Sequence, residues 1–138
     1  MTSQQQTYAI AAARTVMVMI FFLSGLSKIG SAESMRGYME SMGVPGTLLW
    51  PTILFEVGAA LLIVAGYKTR VVALFLAAFS IVTAMVFHSN FADQIQMVMF
   101  LKNLSMAGGF FLLACVGAGD FSLDARFEKA ERSLRIAA

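Results

Sequence analysis

Four stretches of the chain are long and almost unbrokenly apolar: residues 8–29, 48–67, 71–88 and 95–116. Each is close to the ~20 residues that a helix needs to cross the hydrocarbon core of a bilayer. The runs are continuous, whereas a membrane barrel strand would alternate apolar and polar positions over about ten residues. The pattern therefore predicts four spanning α-helices. Short polar breaks separate them, so consecutive spans run antiparallel. Interruptions within the runs are few: Arg14 in the first, Glu56 in the second and Lys102 in the fourth.

Two shorter segments carry a one-sided pattern instead. Within residues 31–42, Met35, Tyr38, Met39 and Met42 recur at helical spacing, with Glu33, Arg36 and Glu40 elsewhere on the turn. Gly43, Pro45 and Gly46 end that helix. It is expected to lie across the outer face of the bundle, either as a plain shelf or as a lid over a site. In residues 122–136, Leu123, Phe127, Ala130 and Leu134 form the stripe, and alternating charges cover the rest. This second helix is expected at the inner headgroups, with Asp120 or Ser122 capping its start. The expected fold is an all-α membrane protein: an antiparallel four-transmembrane-helix bundle, one domain over residues 1–138, with an outer amphipathic helix and a cytoplasmic C-terminal one.

Composition strengthens this reading. Hydrophobic residues make up 59% before the 11 glycines are added, against about 45–50% with glycine for a soluble domain. Charged residues are 13%, half the usual ~25%. A single cysteine, Cys115, excludes a disulfide scaffold and an intramolecular dithiol. A net charge of +2 without a dense basic face excludes a nucleic-acid binder. Lys68, Arg70, Arg126, Lys129, Arg132 and Arg135 fall on the side of the termini, with Arg14 near it, while Lys28 and Arg36 fall opposite. That asymmetry predicts cytoplasmic termini. The first apolar run is too long for a cleaved signal peptide, and residues 2–7 before it carry no Lys or Arg.

Helices in lipid associate through small residues and interhelical hydrogen bonds. In the third span Ala73, Ala77, Ser80, Ala84 and His88 make one narrow face. Ser105, Gly108 and Gly109 serve the fourth span, and Gly58, Ala59, Ala60 and Gly66 the second. The ten methionines read as soft packing filler.

The polar residues in the spans converge on one level. Direction and depth put Lys28, Glu56, His88, Lys102 and Asn103 in the outer half of the membrane. They predict a pocket lined by Glu56, His88, Lys102 and Asn103, with Lys28 at its rim and Tyr38 and Met39 of the outer helix as its lid. Glu56 is expected to pair with Lys102. The cluster supports two readings at this point: a ligand- or proton-handling site, or an ion pair that only fixes helix register. Arg14 alone lies in the inner half, where it is expected to snorkel to the headgroups. One histidine excludes bis-histidine haem within a chain, and no zinc set, phosphate loop or Ser-His-Asp order is present, so no metal or covalently bound cofactor is expected.

These residues resemble the DoxX family of bacterial four-helix inner-membrane proteins. The resemblance rests on Arg14, Phe22, Ser24-Gly25-Leu26, Lys28-Ile29, Gly43-Val44-Pro45, Glu56 with Gly58, Gly66, Arg70, His88, Lys102-Asn103, Gly108 and Ser122-Leu123-Asp124. It implies the inner membrane and a setting in redox biology, since relatives include subunits of a thiosulfate:quinone oxidoreductase and proteins linked to oxidative and thiol stress. Three functions follow as expectations. The first is a subunit or accessory factor in quinone-linked or thiol/sulfur redox processes, with a quinone head in the pocket. The second is a non-enzymatic anchor for a membrane or peripheral protein partner. The third is a small-solute or proton transporter, which would need a homo-oligomer.

Overall fold

A computed structural model describes residues 2–137. In chain order the helices are α1 (Ser3–Gly30), α2 (Ala32–Ser41), α3 (Leu49–Ala65), α4 (Thr69–Phe87), α5 (Gln94–Val116) and α6 (Leu123–Ala137), with a 3-10 turn at Gly46–Leu48 leading into α3. Four of them, α1, α3 with its 3-10 turn, α4 and α5, are long and apolar enough to cross a membrane. The all-α fold with four spanning helices and two flanking helices agrees with the sequence pattern.

Helix starts and stops have local causes. α1 begins five residues before the apolar run, because Thr2 and Gln5 close a capping box: the Gln5 amide donates to Thr2 Oγ1 and the Thr2 amide to Gln5 Oε1. Asp93 caps α5, its Oδ1 accepting from the Ile95 amide at 2.8 Å. Gly66 ends α3 in the left-handed conformation with φ 67°. A Cβ there would stand 2.5 Å from Ser122 Cβ and 2.8 Å from Arg14 Nη1. Glycine is needed at this position both for its dihedral and for its lack of a side chain.

The bundle is built from two tight pairs, α1 with α3 and α4 with α5. Along α4, Ala73, Ala77, Ser80 and Ala84 are all buried, as their spacing predicts. In the first pair, a Cβ on Gly25 would come within 2.7 Å of Val57 Cγ2, so glycine sets the approach of α1 to α3. The pairs meet through a layer of phenylalanines, one from each span. Phe21 lies against Phe110 (ring centroids 5.5 Å) and Phe79 (6.1 Å), and Phe79 against Phe55 (5.1 Å). Towards the termini this layer continues into packed core; towards α2 the helices enclose a cavity. The two ends are called here the termini end and the shelf end.

The termini end is locked by polar groups. Arg14 does not snorkel: it is 3% exposed and donates to the carbonyls of Ala118, Val64 (3.2 Å) and Phe121 (2.7 Å). Arg70 donates to the carbonyls of Ala114 (2.7 Å) and Cys115 (2.5 Å), the unpaired end of α5. Asp124, just inside α6, accepts from the amides of Lys68 and Thr69 and so caps α4 from a distance. Ser122, one of the two expected caps of α6, accepts from the Ala125 amide at 3.1 Å. Arg14 departs from expectation because bare carbonyls lie within its reach. Satisfying them inside the protein is worth more than hydrating one guanidinium.

Candidate functional site: a cavity at the shelf end

The cavity at the shelf end has a volume of about 450 Å³ and touches all four spans as well as α2. Its floor is the phenylalanine layer, through Phe21 and Phe79. Its roof is α2, held down by Met39, which is buried against Leu49 and Ile53. Tyr38 stacks on Phe87 of α4 (5.7 Å, planes 27° apart), so the roof reaches across to the opposite pair. Most of the wall is apolar: Ile20, Met35, Val44, Leu48, Val82, Val86 and Met106.

Polar groups enter from two sides. On the α1–α3 side, Lys28 Nζ donates to both oxygens of Glu56 (2.8 and 2.7 Å) and to Ser24 Oγ (2.6 Å). All three ammonium protons are thus used, and Glu56, 4% exposed, is neutralised within the bundle. On the α4–α5 side, the Thr83 hydroxyl has the Phe79 carbonyl of its own helix at 2.9 Å and Asn103 Oδ1 at 3.3 Å, and Asn103 Nδ2 donates to the Met99 carbonyl (3.0 Å). His88 ends α4 and meets Gln96 in the first turns of α5, Nδ1 to Oε1 at 2.8 Å. Either tautomer can form this bond, according to which end of the Gln96 amide meets Nδ1, and Nε2 takes no part in it. The remaining amide proton of Asn103, the second lone pairs of Glu56 and the Thr52 hydroxyl are further groups on the wall without a partner among the described residues.

The structure brings together six of the seven expected site residues: Glu56, His88, Asn103, Lys28, Tyr38 and Met39 all line the cavity. Lys102 does not. It is exposed on the surface of α5 and makes no ion pair among the described residues, so the expected Glu56–Lys102 pair is replaced by Glu56–Lys28. Lys28 accordingly sits within the wall rather than at the rim. The cause is directional. Helical side chains lean towards the N-terminus of their own helix. α1 ends at the shelf end, so Lys28 leans back into the membrane; α5 begins there, so Lys102 leans outwards. Four lining or supporting polar residues were not anticipated: Ser24, Thr52, Thr83 and Gln96. Ser24 was signalled by its place one turn before Lys28, Thr83 by being a hydroxyl in an apolar run. Among the described residues no group of three His, Cys, Asp or Glu side chains comes together for a metal.

Fold and site define a class: a small polytopic membrane protein with a largely apolar, polar-studded cavity in one half of the bilayer. Within that class the chain belongs to the DoxX family, whose model matches residues 9–89. It is 45% identical to the inner membrane protein YqjF of Escherichia coli K12, over 87% of this chain and 92% of that one. It is 38% identical to the inner membrane protein YphA of the same organism, over 83% of this chain and 86% of that one. No solved structure matches it significantly. The chain is thus an integral membrane protein of the DoxX family.

Proposed function

We propose that the protein acts as a membrane subunit or accessory factor in quinone-linked redox processes, holding a quinone-type head in the shelf-end cavity. The observation that carries this reading is the cavity itself. A network that only fixed helix register would be expected to close, since incompletely satisfied polar groups in lipid are costly. Here the polar groups instead flank a space of about 450 Å³, within the ~300–1,000 Å³ typical of small-molecule sites. A flat ring with two oxygens fits apolar walls with polar groups on opposite sides. Asn103 has a proton to donate to a quinone carbonyl. His88 Nε2 can accept from the hydroxyl of the reduced, hydroquinone form. Chain orientation by the positive-inside rule puts the termini in the cytoplasm and the cavity in the periplasmic half of the inner membrane.

The phenylalanine floor argues against transport, because it blocks the route from Glu56 to Arg14. The anchoring reading draws support from the termini end, where Arg14, Arg70 and Asp124 build a rigid platform at the base of α6. A partner protein seated there is compatible with a ligand at the shelf end. The test is titration of the purified protein with a soluble quinone analogue. His88→Ala should weaken binding about tenfold, the loss of one hydrogen bond of ~1–1.5 kcal/mol, with the melting temperature unchanged. Equal binding by wild type and variant would remove the quinone reading and leave the anchor.

A further inference from the structure

The packing of α1 against α5 is uneven, and the unevenness bears on how a ligand would sit. The two helices run antiparallel and touch where Met17 fills the space beside Gly109: a Cβ on Gly109 would stand 2.9 Å from Met17 Cε. One rung nearby, Phe21 packs on Phe110. Seven residues return a helix to almost the same face, about 10 Å along its axis. Counting seven towards the shelf end from each side of the Met17–Gly109 contact reaches Ser24 on α1 and Lys102 on α5. These two residues face the same seam at the same level, yet they do not meet. Ser24 lines the cavity and bonds to Lys28, while Lys102 is exposed. Below them Ile20 lines the cavity and is also 53% exposed, and Ser105 on the α5 side is exposed. The seam is closed at the phenylalanine layer and open above it.

We infer that the ligand has an apolar tail and occupies the cavity from the side, its tail leaving for the bilayer through the mouth between α1 and α5, with Lys102 at the rim. This rests on the reading of the cavity as a head-group site. The chemistry of the mouth suits such a molecule. Ile20 and Met106 give a tail an apolar groove at the depth of the acyl chains. Lys102 at the rim and Asn103 and Ser24 in the wall give a polar head partners at one level, from the bilayer side inward to the cavity. The α3–α4 side is the alternative mouth, since Leu48 and Val82 line the cavity there and are 47% and 51% exposed, but the Tyr38–Phe87 stack bridges that side at the shelf end.

The experiment narrows the mouth without touching the cavity wall. Ser105→Trp does so from α5 and Ser27→Trp from α1, so one can fail to fold without loss of the test. In lipid nanodiscs, two probes are titrated: a benzoquinone head bearing a methyl group, and the same head bearing a decyl chain, the latter counted as mole fraction in lipid. Both should bind the wild type. In either variant the methyl probe should bind within ~2-fold of wild type, and the decyl probe should lose ~10-fold or more. Equal losses for both probes, or none, would overturn the lateral mouth and leave the cavity reading standing. A decyl-selective loss in Val82→Trp with none in Ser105→Trp would move the tail to the α3–α4 side and equally overturn it. If neither probe binds the wild type, the head-group reading fails and takes this inference with it.

Discussion

Glu56 lies in an apolar span with one lysine nearer the surface, Lys28, and one deeper, Lys102, and it takes the one on the helix that packs against its own. Lys28 spends all three protons on Glu56 and Ser24. Removing either partner strands the other charge, a loss of about 3–5 kcal/mol where such pairs have been cut in soluble proteins. Glu56→Gln and Lys28→Met should each lower the melting temperature in detergent more than the double change does; additive losses would mean that the two do not interact. Lys102→Met, by contrast, should leave stability within about 0.5 kcal/mol of wild type, as for a surface position. At the other end Arg14 satisfies three carbonyls from two segments. Arg14→Met leaves them bare and should cost at least ~3 kcal/mol, read as a lowered midpoint on thermal unfolding. Gly66→Ala should cost more than ~2 kcal/mol by the same assay, because it adds a collision with Ser122 to a left-handed backbone.

Among the elements, the α4–α5 pair depends on absence of side-chain bulk. Ala77 and Ala84 are buried in it, and Leu at either position should separate the helices and cost about 1–3 kcal/mol by overpacking. This face was legible from spacing alone, as were the four spans, α2 and α6, since apolar run length and helical periodicity are properties of local sequence. The order of the polar residues along each helix was legible too, because residues along a helix count out distance. Their azimuths were not. A count of residues from the membrane surface puts Lys28 at the end of its span and Lys102 seven residues inside, but only the packed bundle shows that Gly25 brings α1 onto α3 beside Glu56 while α5 turns Lys102 outwards. The polar lock at the termini end was hidden for a related reason. Arg14, Gly66 and Asp124 lie over 50 residues apart in sequence, and nothing local couples them. Asp124 is the testable member. Asp124→Ala removes the cap that α6 supplies to α4, so it should cost about 1 kcal/mol and raise amide hydrogen exchange at Lys68 and Thr69.

Taken whole, the molecule divides at its phenylalanine layer. On the termini side, Arg14, Arg70 and Asp124 are spent on backbone carbonyls and helix ends, the core between the spans is packed, and a polar hollow of about 850 Å³ lies outside that core, between the α3–α4 turn and α6. On the shelf side, helix pairs part, a roof helix crosses them, and polar groups stand around a space. The proposed ligand site belongs to the shelf side, and it requires that this space be occupied in the cell. Native mass spectrometry of protein purified from its own membrane in mild detergent tests it most directly. The wild type should carry an adduct with the mass of a tailed quinone, and a His88→Ala, Asn103→Leu double variant of unchanged melting temperature should clearly lose it. A bare wild-type chain, or an adduct retained equally by the variant, would contradict it.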